Sequence, residues 1–411
     1  MRRFLATVAV LIVAVAATAQ AQPLRVGLLL PFTGEYDWVG ANVQPVAQMI
    51  ADEVNERGGI AGREIVLSQG DTEGTVDAGF TAAQKLVNAD GVLALVGPTS
   101  LSFSGARQVI LDNGVPVVTP TAGTTELDRA DQRYLFRTVP SDALGGRAIA
   151  RAATDAAYLG RDQAFDRPYL LVGQAPALIS FEAPITGGFE DYGTPLVGSA
   201  RYQTGKPSYR SEVQDAVRAD PDLIVLIGSP EDSARIMQAA FQAGYDGAWF
   251  VTQDQTTPEF VDLVGAQLAE GIYGLEEVAA EEAAERAEAF AERYLAYSGN
   301  EVQIFGTNTY DAMNVVALAM LRAQLRDGEI TRETIADNIP VVANADGGDV
   351  AVTSYTEGAV ALEAGDEIDY RGLVGPVDFD AWGNISAPFG IRRVVDGAWT
   401  GVATVPADAL Q

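Results

Sequence analysis

From Leu24 onward the chain alternates short, continuously apolar, β-prone runs with stretches of helical periodicity, and this alternation restricts the fold more than any other feature. The runs Arg25 to Leu30, Glu64 to Ser68, Val92 to Val96 and Val115 to Thr119 read as strands. Between them, Val43, Ala47, Ile50 and Val54 recur at the spacing of one helix face, and helical patterns follow around Phe80 to Val87 and Ser104 to Leu111. Strands without polar alternation are buried on both faces, as in parallel sheets covered by their crossover helices. A second series repeats the pattern, with strands at Tyr169 to Val172, Val197 to Tyr202, Leu223 to Ile227 and Ala248 to Thr252. Its helices fall around Phe181 to Tyr192, Tyr209 to Val217 and Asp232 to Ala243. Two parallel sheets follow, and 411 residues are enough for two lobes with a full core each.

Beyond Ile272 the spacing lengthens to helices over Ala280 to Tyr297 and Phe305 to Leu325, then a Gly- and Asp-rich stretch from Asn344 to Arg371. The glutamate run Glu276 to Glu288 reads as a solvated helix face, with Ala287, Phe290 and Tyr294 on the opposite side. The tail from Val377 to Val405 is strand-like, broken by turns at Asp380 to Asn384 and at Asp396-Gly397, the second a hairpin signal.

Composition removes whole classes of chemistry. The chain has no histidine and no cysteine, which excludes imidazole acid/base catalysis, thiol nucleophiles, Cys/His zinc sites and disulfides. With 27 basic against 56 acidic residues, a nucleic-acid partner is excluded on charge. Arg2 and Arg3, the apolar run Phe4 to Ala17 and Ala19-Gln20-Ala21 have the anatomy of a cleaved signal peptide over residues 1–21, so the mature chain is expected to start at Gln22, in the periplasm. Lacking cysteine, it could not carry a thioether lipid anchor. The mature chain keeps 25 basic residues, of which only Lys85 and Lys206 are lysines. Such an acidic, lysine-poor surface fits a saline habitat; plain solubility is the alternative.

In open parallel sheets, ligands bind beyond the carboxyl ends of the strands. The first exit carries Tyr36, Asp37 and Trp38; the third is Gly97-Pro98-Thr99-Ser100; the fourth is Pro120-Thr121-Ala122-Gly123-Thr124-Thr125. Ser100 alone could cap its own helix, but two such hydroxyl-bearing exits facing one cleft could bind a carboxylate through backbone N–H groups and helix dipoles.

Several segments, in order and spacing, resemble the type I periplasmic solute-binding proteins of branched-chain amino acid (leucine/isoleucine/valine) ABC transporters. They are Pro31-Phe32-Thr33-Gly34, Val54 to Arg63, Gly97-Pro98, Gly114-Val115-Pro116, Phe136 to Asp142, Tyr310-Asp311-Ala312, and Gly375 with Phe379-Asp380, Gly383 and Gly397. The resemblance implies two Rossmann-like α/β lobes joined by a three-crossover hinge near Ser141, Ile272 and Ser386. One lobe would comprise 24–144 and 275–385, the other 145–274 and 386–411. Carried over, the carboxylate-binding serine falls on Ser100 and its companion loop on Thr121, Ala122, Gly123 and Thr124, with Gly123 where a threonine is expected. The acidic residue for a ligand ammonium falls on Asp254, which taken alone would read as a turn residue. Trp38 stands one position before the expected first-loop aromatic, and core packing competes with a site role there. The second-lobe Tyr-Gly motif has no counterpart in Gly173 to Ser180, and Ser229 follows the Leu223 to Ile227 strand where another tyrosine would be expected.

The expectation is therefore a monomeric, cofactor-free and metal-free receptor that closes on an amino acid or related small carboxylate and delivers it to a membrane permease. A sensory module of the same fold is the alternative. An enzyme is disfavoured, since the first strand leads into Pro31-Phe32-Thr33-Gly34 rather than a G-x-G-x-x-G turn.

Overall fold

The computed structural model describes residues 22–129, 133–344 and 350–410, so the expected leader lies outside the described residues. Strands β1 (Leu24–Leu30), β2 (Ile65–Asp71), β3 (Ala94–Val96), β4 (Val117–Thr119) and β5 (Leu135–Arg137) form one all-parallel sheet in the order β2-β1-β3-β4-β5. A second sheet contains β6 (Pro168–Gly173), β7 (Gly198–Tyr202), β8 (Leu223–Ile227), β9 (Ala248–Val251) and β10 (Tyr273–Glu277), parallel in the order β7-β6-β8-β9-β10. Beyond β10, the hairpin β13 (Phe389–Val395) and β14 (Ala398–Val405) extends this sheet antiparallel. Its turn places Asp396 and Gly397 at φ 52 and 76, the left-handed pair that a two-residue hairpin turn requires.

Both parallel sheets reverse winding direction beside their first strand, between β1 and β3 and between β6 and β8. Loops part at such switch points and leave a crevice at the carboxyl ends. The three-residue β5, too short to give a pattern, and β10 add a fifth parallel strand to each series read from the sequence. The Gly- and Asp-rich stretch is also more ordered than its composition suggests: β11 (Val350–Val352) and β12 (Ile368–Tyr370) pair across the helix Tyr355–Ala364. The tail from Val377 is not strand until Phe389; its Val377, Phe379 and Ile385 are buried in the core under the first sheet without regular structure.

The chain passes between the sheets three times. It leaves the first after Arg137, and the helix Asp142–Ala153 already packs on β10, β13 and β14. It returns after Glu277, a few residues beyond the expected Ile272, because β10 completes the second sheet first. It crosses again between Ile385 and Phe389.

The helix Gly306–Arg322 packs against the helices Asp37–Glu56, Arg332–Ala343 and Tyr355–Ala364 and is buried on nearly every side, which explains its apolar sequence all round. Asp311 lies inside it. Its carboxyl accepts from Leu373 N (2.8 Å), Val374 N (3.0 Å) and the Tyr370 hydroxyl (2.9 Å), while burial still pushes its pKa up to about 7. This side chain satisfies a turn that has no ladder of its own. Asp311→Ala leaves those buried donors without an acceptor and is expected to lower unfolding stability by about 3–5 kcal/mol. Urea unfolding checks it; an unchanged midpoint would show that the turn does not depend on Asp311.

The segment Val54 to Arg63 is also structural. Asn55 bonds Ile65 through both its amide atoms, at 2.8 and 2.9 Å, and so fixes where β2 starts. A Cβ on Gly59 would come within 2.2 Å of Arg63 O, and its φ of +70 also favours glycine.

Candidate functional site

The loops beyond β1, β3 and β4 face those beyond β6 and β9 across a cavity of about 70 Å³. From the first lobe come Tyr36, Trp38, Ser100, Thr121 and Gly123; from the second come Leu178, Phe181, Gln253 and Asp254. Asp142, at the crossing after β5, and Phe305, before the helix Gly306–Arg322 of the first lobe, also line it. Trp38 stacks on Phe305 with ring centres 6.1 Å apart and planes 10° from parallel, so it serves the core and the cavity together.

The loop after β4 is held from behind. Thr119 Oγ1 donates to Pro98 O (2.7 Å) and accepts from Thr121 N and Ala122 N (3.2 and 3.1 Å). Arg137, 1% exposed, donates Nη1 to the carbonyls of Gly123 and Thr124 and pairs through Nη2 with Asp128. Several polar groups of the loops are thereby turned inward. Thr121 Oγ1 donates to Pro98 O (3.3 Å), and Thr124 N donates to Ser100 Oγ (3.1 Å). The Ser100 hydroxyl proton remains available to the cavity.

Gly123 departs from the expected threonine for a steric reason. Asp142 N donates to Gly123 O at 2.7 Å, and a Cβ on Gly123 would lie 2.1 Å from Asp142 Oδ1. The carboxylate therefore fills the space a side chain there would need. Asp142 is 8% exposed; Ser180 Oγ bonds its Oδ2, while Oδ1 accepts no hydrogen bond from the described residues. Burial pushes its pKa up to about 7, against the lowering effects of Ser180 and Arg137.

Asp254 lies in the short turn Gln253–Gln255 after β9, whose Thr252 and Gln255 form a reciprocal cap. That cap leaves the Asp254 carboxylate without a protein partner among the described residues. Asp254 is half-buried and lines the cavity, and burial pushes its pKa up to about 6. Glu277, at the end of β10, receives Asn308 Nδ2 at 3.3 Å; burial foremost, with the charges of Asp142 and Asp254, raises it to about 8.

Of the residues singled out in the sequence, Trp38, Ser100, Thr121, Gly123 and Asp254 converge on the cavity. Ala122, Thr124 and Ser229 do not line it. Ala122 is fully buried under the first sheet, Thr124 Oγ1 accepts from Glu126 N (3.3 Å), and Ser229 caps the helix Pro230–Gln242. Ser229 stands close to Glu35 of the facing lobe, at the cleft rim. Asp142, Phe181 and Phe305 were missed: Asp142 reads locally as a first-turn helix acid, and the two rings read as ordinary helix residues.

Two parallel-sheet lobes joined by three connections, with a cavity walled by both, have the architecture of a solute-binding protein. The chain belongs to the periplasmic binding protein family, whose model matches residues 23–398. Among its relatives, the chemotactic signal transduction system substrate-binding protein BasB of Halobacterium salinarum is 27% identical over 88% of this chain and 84% of its own length. The Leu/Ile/Val-binding protein BraC3 of Rhizobium johnstonii is 36% identical over 29% of this chain and 32% of its own. Among solved structures, the leucine binding protein LivK of Thermotoga maritima has a TM-score of 0.76 at 22% identity, covering 94% of this chain and 99% of that one. LivJ of Streptococcus pneumoniae, in complex with isoleucine, has a TM-score of 0.74 at 22% identity over 93% and 99%.

Proposed function

We propose that the protein is an extracytoplasmic receptor that captures an amino acid or related small solute between its lobes and delivers it to an ABC transporter permease. The observation that carries this reading is the shared cavity: neither lobe alone provides Ser100 and Thr121 together with Gln253 and Asp254. A ligand touching both walls favours the closed arrangement by its differential affinity for it. Micromolar binding, about −8 kcal/mol, needs only a few charge-assisted hydrogen bonds of roughly 1.5–3 kcal/mol each plus apolar burial. The complexes of relatives with isoleucine and with benzoate support a small organic ligand. Export by a cleaved leader at residues 1–21 and a monomeric state complete the proposal, and no described helix is long and apolar enough to cross a membrane. The relative BasB favours a second reading, in which the closed receptor signals to a sensory partner instead of a permease.

A thermal-shift screen of amino acids, amides and small aromatic acids tests the reading. With a hit in hand, solution scattering is expected to show a smaller radius of gyration at saturation than without ligand. Superimposable profiles would remove closure from the mechanism.

A further inference from the structure

We infer that this cavity is built for a small organic cation, a ligand with net positive charge whose ammonium or guanidinium lies between the carboxylates of Asp142 and Asp254. The inference rests on the reading of the cavity as the ligand site and names the class of solute it takes. A zwitterionic amino acid offers one cation and one anion, and asks the site for one acceptor group and one set of donors. The cavity is weighted otherwise. No Lys or Arg lines it among the described residues, while two carboxylates do.

On the first-lobe side, several of the groups that could donate to a ligand carboxylate are already engaged: Thr121 Oγ1 with Pro98 O, Thr124 N with Ser100 Oγ, and Thr121 N and Ala122 N with Thr119 Oγ1, which leaves few donors there beside the Ser100 hydroxyl proton. Arg137 bonds the back of the same loop and pairs with Asp128. At Gly123, where a side-chain hydroxyl could have pointed into the site, Asp142 Oδ1 stands instead, an acceptor more than nine-tenths buried and without a protein donor. Asp254, beyond β9, lines the same cavity, also without a partner among the described residues. A bound cation supplies what both lack.

The remaining walls suit the same charge. Tyr36, Trp38, Phe181 and Phe305 present aromatic surface, which attracts a cation through the ring quadrupole. Behind Gln253 and Phe305 the cavity adjoins a groove of about 510 Å³ lined by Glu259, Glu276, Glu277 and Glu301, again with no Lys or Arg among its lining residues. Of these, Glu276 pairs with Arg392 and burial holds Glu277 toward its protonated form, so Glu259 and Glu301 carry the negative charge of the groove. Among the described residues no three acidic side chains converge as metal ligands, which points to an organic cation over a metal ion. The raised pKa values of Asp142 and Asp254 agree: burial disfavours the charged form of both, and the Asp254 charge adds to this at Asp142 against the lowering pull of Ser180 and Arg137.

Calorimetry on the full mature chain with matched probes tests this. L-lysine is set against L-norleucine, L-arginine against L-citrulline, and cadaverine, L-leucine and benzoate complete the panel. At least one of L-lysine, L-arginine and cadaverine is expected to bind 100-fold or more tightly than its neutral analogue or L-leucine. Asp142→Asn, close in shape and expected to fold, should weaken that cation at least 10-fold and narrow the gap to the neutral probe. If L-leucine, L-norleucine or benzoate binds as tightly as the best cation, and Ser100→Ala weakens it, the charge assignment is overturned while the receptor reading stands. Binding of any probe that neither Ser100→Ala nor Asp142→Asn alters overturns the cavity as the site, and this inference with it. No binding by the three cations overturns the ligand class proposed.

Discussion

Replacing Asp254 by alanine is expected to weaken binding of the captured solute by roughly 30-fold or more, the loss of about 2–5 kcal/mol that follows removal of one partner of a buried ligand ion pair. The same substitution is expected to stabilise the empty protein at neutral pH. Asp254 sits at the exit of β9 with no protein donor on its carboxyl, and burial raises its pKa to about 6. A carboxyl that holds its proton more tightly folded than unfolded stabilises the native state below its unfolded pKa, and that stability is lost as pH rises through the folded value. Removing it should therefore change little near pH 3, and raise stability progressively from about pH 4 to pH 6, by on the order of 1–3 kcal/mol. Calorimetric titration of the ligand and thermal unfolding between pH 3 and 8 measure the two effects. Undiminished affinity would take Asp254 out of the site, and a stability difference that is flat with pH would show that the wild-type carboxyl is not strained by burial.

Melting temperature is expected to climb with sodium chloride, by roughly 5–10 °C between 0.05 and 2 M, steepest below about 1 M where the Debye length shortens from near 10 Å to about 3 Å. Acidic side chains outnumber basic ones two to one, and the excess lies outside. Glu281, Glu282, Glu285, Glu288 and Glu292 are exposed on and beside the helix Ala284–Ser298, whose Phe290 and Tyr294 face the core. The basic side chains are few, and one of them, Arg133, pairs with both Glu333 and Asp337. Like-charge repulsion opposes the compact state until salt screens it, and gains above 1 M reflect strengthened apolar burial. A neutral osmolyte series separates the two contributions. A midpoint that stays level or falls across the salt series would limit the acidic surface to solubility and remove the case for a saline habitat.

The two sheets were legible because their signals are local. Apolar runs such as Leu223 to Ile227 and helix faces such as Val43 to Val54 repeat at the periods of the backbone itself, so the chain alone declares parallel strands with covering helices. Strand exits then locate a cleft, the family resemblance picks residues at those exits, and five of the eight so chosen line the cavity. What misled was equally local: Ser229, Thr124 and Ala122 occupy strand exits but are used for a cap, a turn and the core. Tertiary structure decided the charge and shape of the site. Nothing near Gly123 in sequence announces that Asp142 fills its missing side-chain volume, nor that Phe305, in a left-handed conformation at φ 69, joins Trp38 across the cavity. The first depends on where the crossing after β5 brings the lobes together and the second on how distant helices of one lobe pack, and a pattern confined to one strand or one helix carries no information about the face that another element will present to it.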